Sequence, residues 1–142
     1  MILNIFDNKY NIPVSFLNKV ASSALGVLGA EKDIIINLSF VSGGKIRELN
    51  KKYRGENLAT DVLSFKADFD SPHFLGDILI CYSVAKQQAK EYNRNIENEV
   101  ALLLIHGILH LFGFDHKTKK EATKLKEKEK EILGNLKKSD YV

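Results

Sequence analysis

The run HGILHLFGFDH, from His106 to His116, holds three of the chain's four histidines and constrains the fold more than any other segment. His106 and His110 are four residues apart, so on an α-helix they project from one face, about one turn of roughly 5.4 Å from each other. The residues before and between them, Val100 to Leu111, are apolar on nearly every side, which predicts a helix buried beneath a sheet with its last turns at the surface. Gly113 can take a positive φ, end that helix and let the chain double back to deliver His116. Two imidazoles on one helical face and a third after a tight turn form a tripod for a metal ion. Three protein ligands with a fourth position open are the mark of a catalytic zinc site.

The same histidine and glycine positions occur in the metzincin protease pattern HExxHxxGxxH. In that pattern the residue after the first histidine is the glutamate that serves as general base, and here it is Gly107. A positioned base contributes ~10²–10⁴-fold, so peptide hydrolysis by the usual zinc-protease route is disabled. Gly107 has a plainer reading as well, close packing of the helix. Neutral imidazoles suit zinc first, although nickel or copper can occupy the same donor set.

The remaining periodicities predict an α+β domain. Residues 1–6 read as a strand, and Pro13 as the first residue of a helix carrying Phe16, Leu17, Val20, Ala24 and Leu25 and ending near Gly26 or Gly29. Ile34 to Val41 reads as a strand, then Ser42 as the cap of a helix with Ile46, Leu49 and Tyr53 on its apolar side. Asp61–Phe65 and Leu75–Tyr82 read as strands joined by a loop with Asp68, Asp70, Ser71 and Pro72, a link suited to an antiparallel pair. Helices follow over 83–92, from Ile96 behind the cap Asn95 to about Phe112, and from the Thr118/Glu121 capping box to Leu133. The order predicts one mixed sheet, with one antiparallel strand, packed against helices.

At 142 residues, with 44% hydrophobic and 27% charged residues, the chain reads as a single domain over 1–142. The single cysteine, Cys81, excludes an intramolecular disulfide framework and reads as a small buried hydrophobe. The N-terminus has no basic leader before Asn4 and Asp7. The longest wholly apolar run, Val100–Ile105, is six residues, against ~20 for a membrane span. A cytoplasmic protein is expected. The net charge of +3 is uneven, because residues 117–138 carry nine lysines against four glutamates. Such a segment attracts polyanions or forms a solvated helix face.

With these residues in hand, the chain resembles the YbeY family of bacterial endoribonucleases over most of its length. The resemblance rests on the His106–His116 run, on Tyr53-Arg54-Gly55 followed by Thr60-Asp61-Val62-Leu63-Ser64-Phe65, and on Leu75-Gly76-Asp77-Ile78. It departs at Ala59 and Lys66, where proline is frequent, and at Phe114, where tyrosine is commoner, so a phenol at 114 has no role here. The resemblance implies a zincin-like fold and one zinc ion held by His106, His110 and His116. It implies Arg54 as the functional arginine for handling RNA. It also implies single-strand cleavage in maturation of the small-subunit (16S) rRNA 3′ end and in ribosome quality control, with RNA and the small subunit or its proteins as partners.

Chemically, a guanidinium beside a metal suits a phosphodiester, since its planar fork binds phosphate oxygens at two points and stays charged. Arg54 and His110 are therefore the expected catalytic residues. Attack by water and attack by the ribose 2′-hydroxyl both remain open. Lys51 and Lys52, with Lys45 and Arg47, either extend a phosphate-binding surface or form a solvated face. Asp115 either orients a histidine from behind or shapes the turn. Asp61 and Asp77 cap loops or touch substrate, His73 is incidental, and Tyr53 and Phe65 read as core packing rather than base stacking. Two rival functions stay in view: a metallohydrolase of another substrate, and a non-catalytic, metal-stabilised RNA- or ribosome-binding factor.

Overall fold

Alternation along two strands decides how the sheet is covered. In β2 (Ile35–Val41), Ile36, Leu38 and Phe40 are buried while Ile35, Asn37, Ser39 and Val41 are half-exposed. In β4 (Phe74–Cys81), Ile78 and Ile80 take the same inner face. A period of two places each set on one side, so one face of the sheet demands an apolar cover and the other a lighter one. The computed structural model describes residues 1–68 and 72–138. Its remaining elements are β1 (Ile2–Phe6), α1 (Val14–Val27), α2 (Gly43–Arg54), β3 (Val62–Lys66), α3 (Tyr82–Glu91), α4 (Ile96–Leu111) and α5 (Lys119–Lys138).

The strand order is β1-β2-β4-β3, with β1, β2 and β4 parallel and β3 antiparallel to β4. This is the expected α+β architecture with one antiparallel strand, and that strand lies at an edge. Helices α1, α4 and α5 cover the inner face, with Leu17, Val20, Leu104, Ile105, Ile108, Leu109 and Ile132 fully buried. Burying a side chain of this size contributes about 1.5–3 kcal/mol. On the outer face α2 rests Ile46 on Leu63 and Cys81, so the cysteine is the buried hydrophobe expected of it.

The caps are local and act where the sequence places them. Ser42 Oγ accepts from the Lys45 amide at 3.1 Å, Asn95 Oδ1 from the Asn98 amide at 2.8 Å, and Thr118 Oγ1 from the Glu121 amide at 3.1 Å. Each such cap contributes on the order of 1 kcal/mol. Pro13 is a correction: it stands at the N-cap of α1, one residue before the helix, with ψ of 124°. Helix α5 runs past Leu133 to Lys138, because Leu136 is buried and anchors one more turn. Asp70 and Ser71 of the expected β3–β4 loop lie outside the described residues. Among the described residues no helix is long and apolar enough to cross a membrane.

Candidate metal and RNA site

The end of α4 is built to turn sharply. Gly113 has φ of 93°; its amide donates to the His110 carbonyl at 3.0 Å, and the Phe114 amide donates to Leu109 at 3.0 Å. This is the Schellman arrangement, which glycine adopts without the Cβ penalty. The chain therefore reverses, and His116 returns beside His110, with ring centroids 5.6 Å apart at an interplanar angle of 76°. His116 is 67% exposed. Asp115 accepts from the His116 amide at 2.7 Å and lies 3.7 Å from His116 Nδ1, so it both shapes the turn and stands behind the third histidine. That amide, helped by Lys117 and the nearby histidines, holds the Asp115 carboxyl below the usual carboxylate range.

Gly107 is explained by packing. A Cβ there would stand 2.7 Å from Ile78 Cγ2 of the fully buried Ile78, so α4 meets the sheet too closely for any side chain at 107. Position 107 faces the sheet, and a glutamate could not occupy it. The edge strand is fastened at the same point, since Ser64 Oγ donates to the Gly107 carbonyl at 3.0 Å. Ser64 in turn presents its carbonyl to Arg54, whose Nη2 donates at 2.9 Å. Arg54 ends α2 beyond the edge of β3, 5.8 Å from the Phe65 ring, and its charge reaches His110. Thus α2, β3 and α4 set Arg54 within electrostatic reach of His110, beside which His116 lies.

His110 has a proton affinity below the ordinary histidine value, first because it is partly buried and then because His116, His106 and Arg54 are positively charged or chargeable neighbours; Asp115 opposes them. Neutral imidazole is the form that ligates metals. His106 behaves oppositely. Its Nε2 lies 2.7 Å from Glu129 Oε2 of α5, and that hydrogen bond raises its pKa against burial. Among the described residues no three His, Cys, Asp or Glu side chains stand close enough to hold an ion together. The backbone nevertheless carries His106 and His110 on successive turns with His116 alongside, and all three rings are partly exposed. Three imidazoles are a donor set that fits zinc, and bringing them to one point requires changes of side-chain rotamer.

Lys51 and Lys52 are exposed in the last turn of α2, and the Lys52 ammonium lies 5.1 Å over the Tyr53 ring. Tyr53 corrects the core-packing reading: it is 57% exposed and meets Phe65 in a T-shaped contact, with centroids 5.3 Å apart. Asp61 accepts from the Val62 amide beside it and from Gln88 of α3, so it ties the start of β3 to that helix. Asp77 accepts from Asn37 in a ladder on the outer face, and the His73 side chain is exposed. The sequence reading missed Glu129, the Ser64 tie and Lys66, whose ammonium lies 3.8 Å from where a Cβ on Gly113 would be.

This geometry coincides with a family match. The family model described as Endoribonuclease YbeY matches residues 4–137. The chain belongs to the YbeY family. It is 40% identical over 134 residues to a Geobacillus protein named Endoribonuclease YbeY, with 87% of this chain and 83% of that protein covered. A Bacillus cytotoxicus protein of the same name is 32% identical, with 94% and 95% covered. The solution structure of a Thermotoga maritima protein shares the fold at a TM-score of 0.61, with 27% identity and coverage of 97% of this chain and 93% of that one. The YbeY resemblance seen in the three sequence motifs thus extends across nearly the whole chain.

Proposed function

We propose that this chain is a zinc-dependent endoribonuclease that cuts single-stranded RNA at the end of α4. The observation that carries the reading is Arg54, held at the edge of β3 within electrostatic reach of His110 and its neighbour His116, beside a family match to endoribonucleases. His106, His110 and His116 would hold the ion. A divalent ion there supplies a Lewis acid that acidifies water and draws charge from a phosphoryl oxygen. Arg54 binds the scissile phosphate through its planar fork and stabilises the charge that grows on it. Its orientation is set by the Ser64 carbonyl, which leaves the other guanidinium nitrogens for phosphate. Lys51, Lys52 and Lys66 extend positive charge on either side, where neighbouring phosphates would run.

Water is the attacking group in this reading, and a ribose 2′-hydroxyl attack would instead leave cyclic phosphate ends. Family membership supports ribosomal RNA as substrate, with 3′-end maturation of the small-subunit rRNA and ribosome quality control as the setting. It supports the small subunit or its proteins as partners, a cytoplasmic location, and the zincin-like label for the fold. The test is cleavage of a single-stranded rRNA fragment by wild type, Arg54→Ala and His110→Ala, each checked for folding. Loss of cutting in both folded variants supports the reading. Equal cutting by all three points to a contaminant, and the chain is then an RNA-binding factor rather than a nuclease.

A further inference from the structure

Helix α2 carries five cations, Lys45, Arg47, Lys51, Lys52 and Arg54, against one acid, Glu48. Among the described residues none of the five is paired with a carboxylate, whereas on α5 lysines alternate with glutamates and Lys128 pairs with Glu131 at 3.2 Å. The two guanidiniums of α2 are held instead by neutral oxygens. Arg47 Nε donates to Asn57 Oδ1 and Arg54 Nη2 to the Ser64 carbonyl, both at 2.9 Å. A neutral acceptor fixes a guanidinium without cancelling its charge, and each keeps N–H groups for another partner. Arg47, Lys51 and Arg54 are spaced four and three apart, so they form one stripe along the helix, and all three are exposed. Like charges at these spacings weaken a helix, so the stripe is no aid to folding. Asn57 lies in the link between α2 and β3 and Ser64 in β3 itself, which places the stripe on the side of α2 that faces the sheet edge.

We propose that this stripe is a track for the RNA backbone and that Arg47 binds a second phosphate beyond the one held by Arg54, a role that rests on the endoribonuclease reading above. Arg47 and Arg54 are seven residues apart, about 10.5 Å along the helix axis, too far to grip one phosphate and placed to grip two, with Lys51 between them. Single-stranded RNA is the occupant favoured by the uncancelled positive charge, by the continuity of the stripe with Arg54, and by the exposed Tyr53 ring on the same turn, on which a base can stack. Phosphates are alike at every step of the strand, so Arg47 adds affinity and register but no choice of base. It stands away from the reacting phosphate, so its contribution belongs to substrate binding and not to the chemical step. The lysine-rich α5, the more conspicuous basic segment in the sequence, contributes less, because glutamates alternate with its lysines.

The test is binding of labelled single-stranded RNA to the full chain, followed by fluorescence anisotropy across a salt series, for wild type, Arg47→Ala, Arg47→Lys and Lys126→Ala, with melting to show that each is folded. Lys126→Ala removes one exposed cation of α5 and controls for net charge. Arg47→Ala is expected to make the slope of log K against log[salt] shallower by about 0.7, the value for one phosphate contact on a single strand, with equal weakening for unrelated sequences. Arg47→Lys is expected to keep the wild-type slope, and Lys126→Ala to leave it nearly unchanged. In cleavage, Arg47→Ala should raise KM and leave kcat as it was. A slope untouched by Arg47→Ala overturns the proposal and leaves the stripe to another partner, such as an acidic protein surface. A slope lowered equally by Lys126→Ala also overturns it, because net charge alone would then explain the effect. Wild type that binds RNA but cannot cut it overturns the endoribonuclease reading and leaves the slope to judge the track. Wild type that cuts, with binding and KM unaffected by Arg47→Ala, defeats only the role of Arg47, and wild type that binds no RNA defeats both.

Discussion

Ser64 Oγ donates a 3.0 Å hydrogen bond to the carbonyl of Gly107, the residue after His106, and so joins the edge strand to the histidine helix. Because Arg54 is held by the Ser64 carbonyl, this one serine sets the spacing between the guanidinium and the histidines. Ser64→Ala is expected to cost about 0.5–1.5 kcal/mol in urea unfolding. Cleavage should fall more than that stability loss explains. Unchanged turnover in the folded variant would separate Ser64 from the site.

Gly107→Ala places a Cβ against Ile78 and should destabilise the fold by about 1–3 kcal/mol. Gly107→Glu, which restores the protease pattern, should destabilise it further and create no peptidase. Urea unfolding and a casein digestion assay check the two parts.

Arg54→Lys keeps the charge and loses the planar fork. The expected result is a fall in kcat/KM of about 10²–10³-fold with the fold intact, close to that of Arg54→Ala. Rescue to near wild-type rates by lysine would mean that only charge matters there.

Tyr53 presents an exposed ring one residue before Arg54, with Lys52 over one face. Stacking of an RNA base on it is the expected use. Tyr53→Ala should weaken single-stranded RNA binding by about 1–3 kcal/mol. Tyr53→Phe should leave binding unchanged, since the ring face and not the hydroxyl is engaged. Fluorescence anisotropy with a labelled oligonucleotide distinguishes these outcomes.

The His106–Glu129 pair makes stability depend on pH in the chelated protein. Its hydrogen bond raises the His106 pKa above the ordinary 6.5, so the charged pair stabilises the fold fully below that value. The contribution is lost as pH rises through the folded-state pKa. His110, whose pKa is depressed, acts in the opposite sense and subtracts stability as pH falls below 6.5. Burial, the first cause of that effect, is common to wild type and Glu129→Gln, so most of it is shared by the two proteins. The difference in Tm between the two chelated proteins should therefore be largest in mildly acidic buffer and shrink toward alkaline pH. A difference constant across pH would contradict the charged pair.

What could be read from the sequence was what is encoded locally. Asn95, Ser42, Thr118 and Gly113 mark helix ends through contacts within a few residues, and the histidine spacing follows from helix geometry alone. Glu129 escaped notice because its neighbours Glu127 and Glu131 look alike in a lysine-rich run, and only the buried seam of Leu125, Ile132 and Leu136 singles it out. Tyr53 was misread because helical spacing aligns it with Ile46 and Leu49. Where α2 passes the edge of β3 the sheet ends, and no cover remains for the ring. The β1-β2-β4-β3 order joins residues far apart in the chain, and no local signal encodes it.

The most direct measurement is removal and return of the metal. Wild-type protein stripped by chelation should lose cleavage of a defined single-stranded RNA and regain it when one equivalent of Zn2+ per chain is restored. His116→Ala, treated identically and shown to be folded, should not recover. Full cutting by chelated protein with its metal content verified as absent would contradict a metal-dependent nuclease.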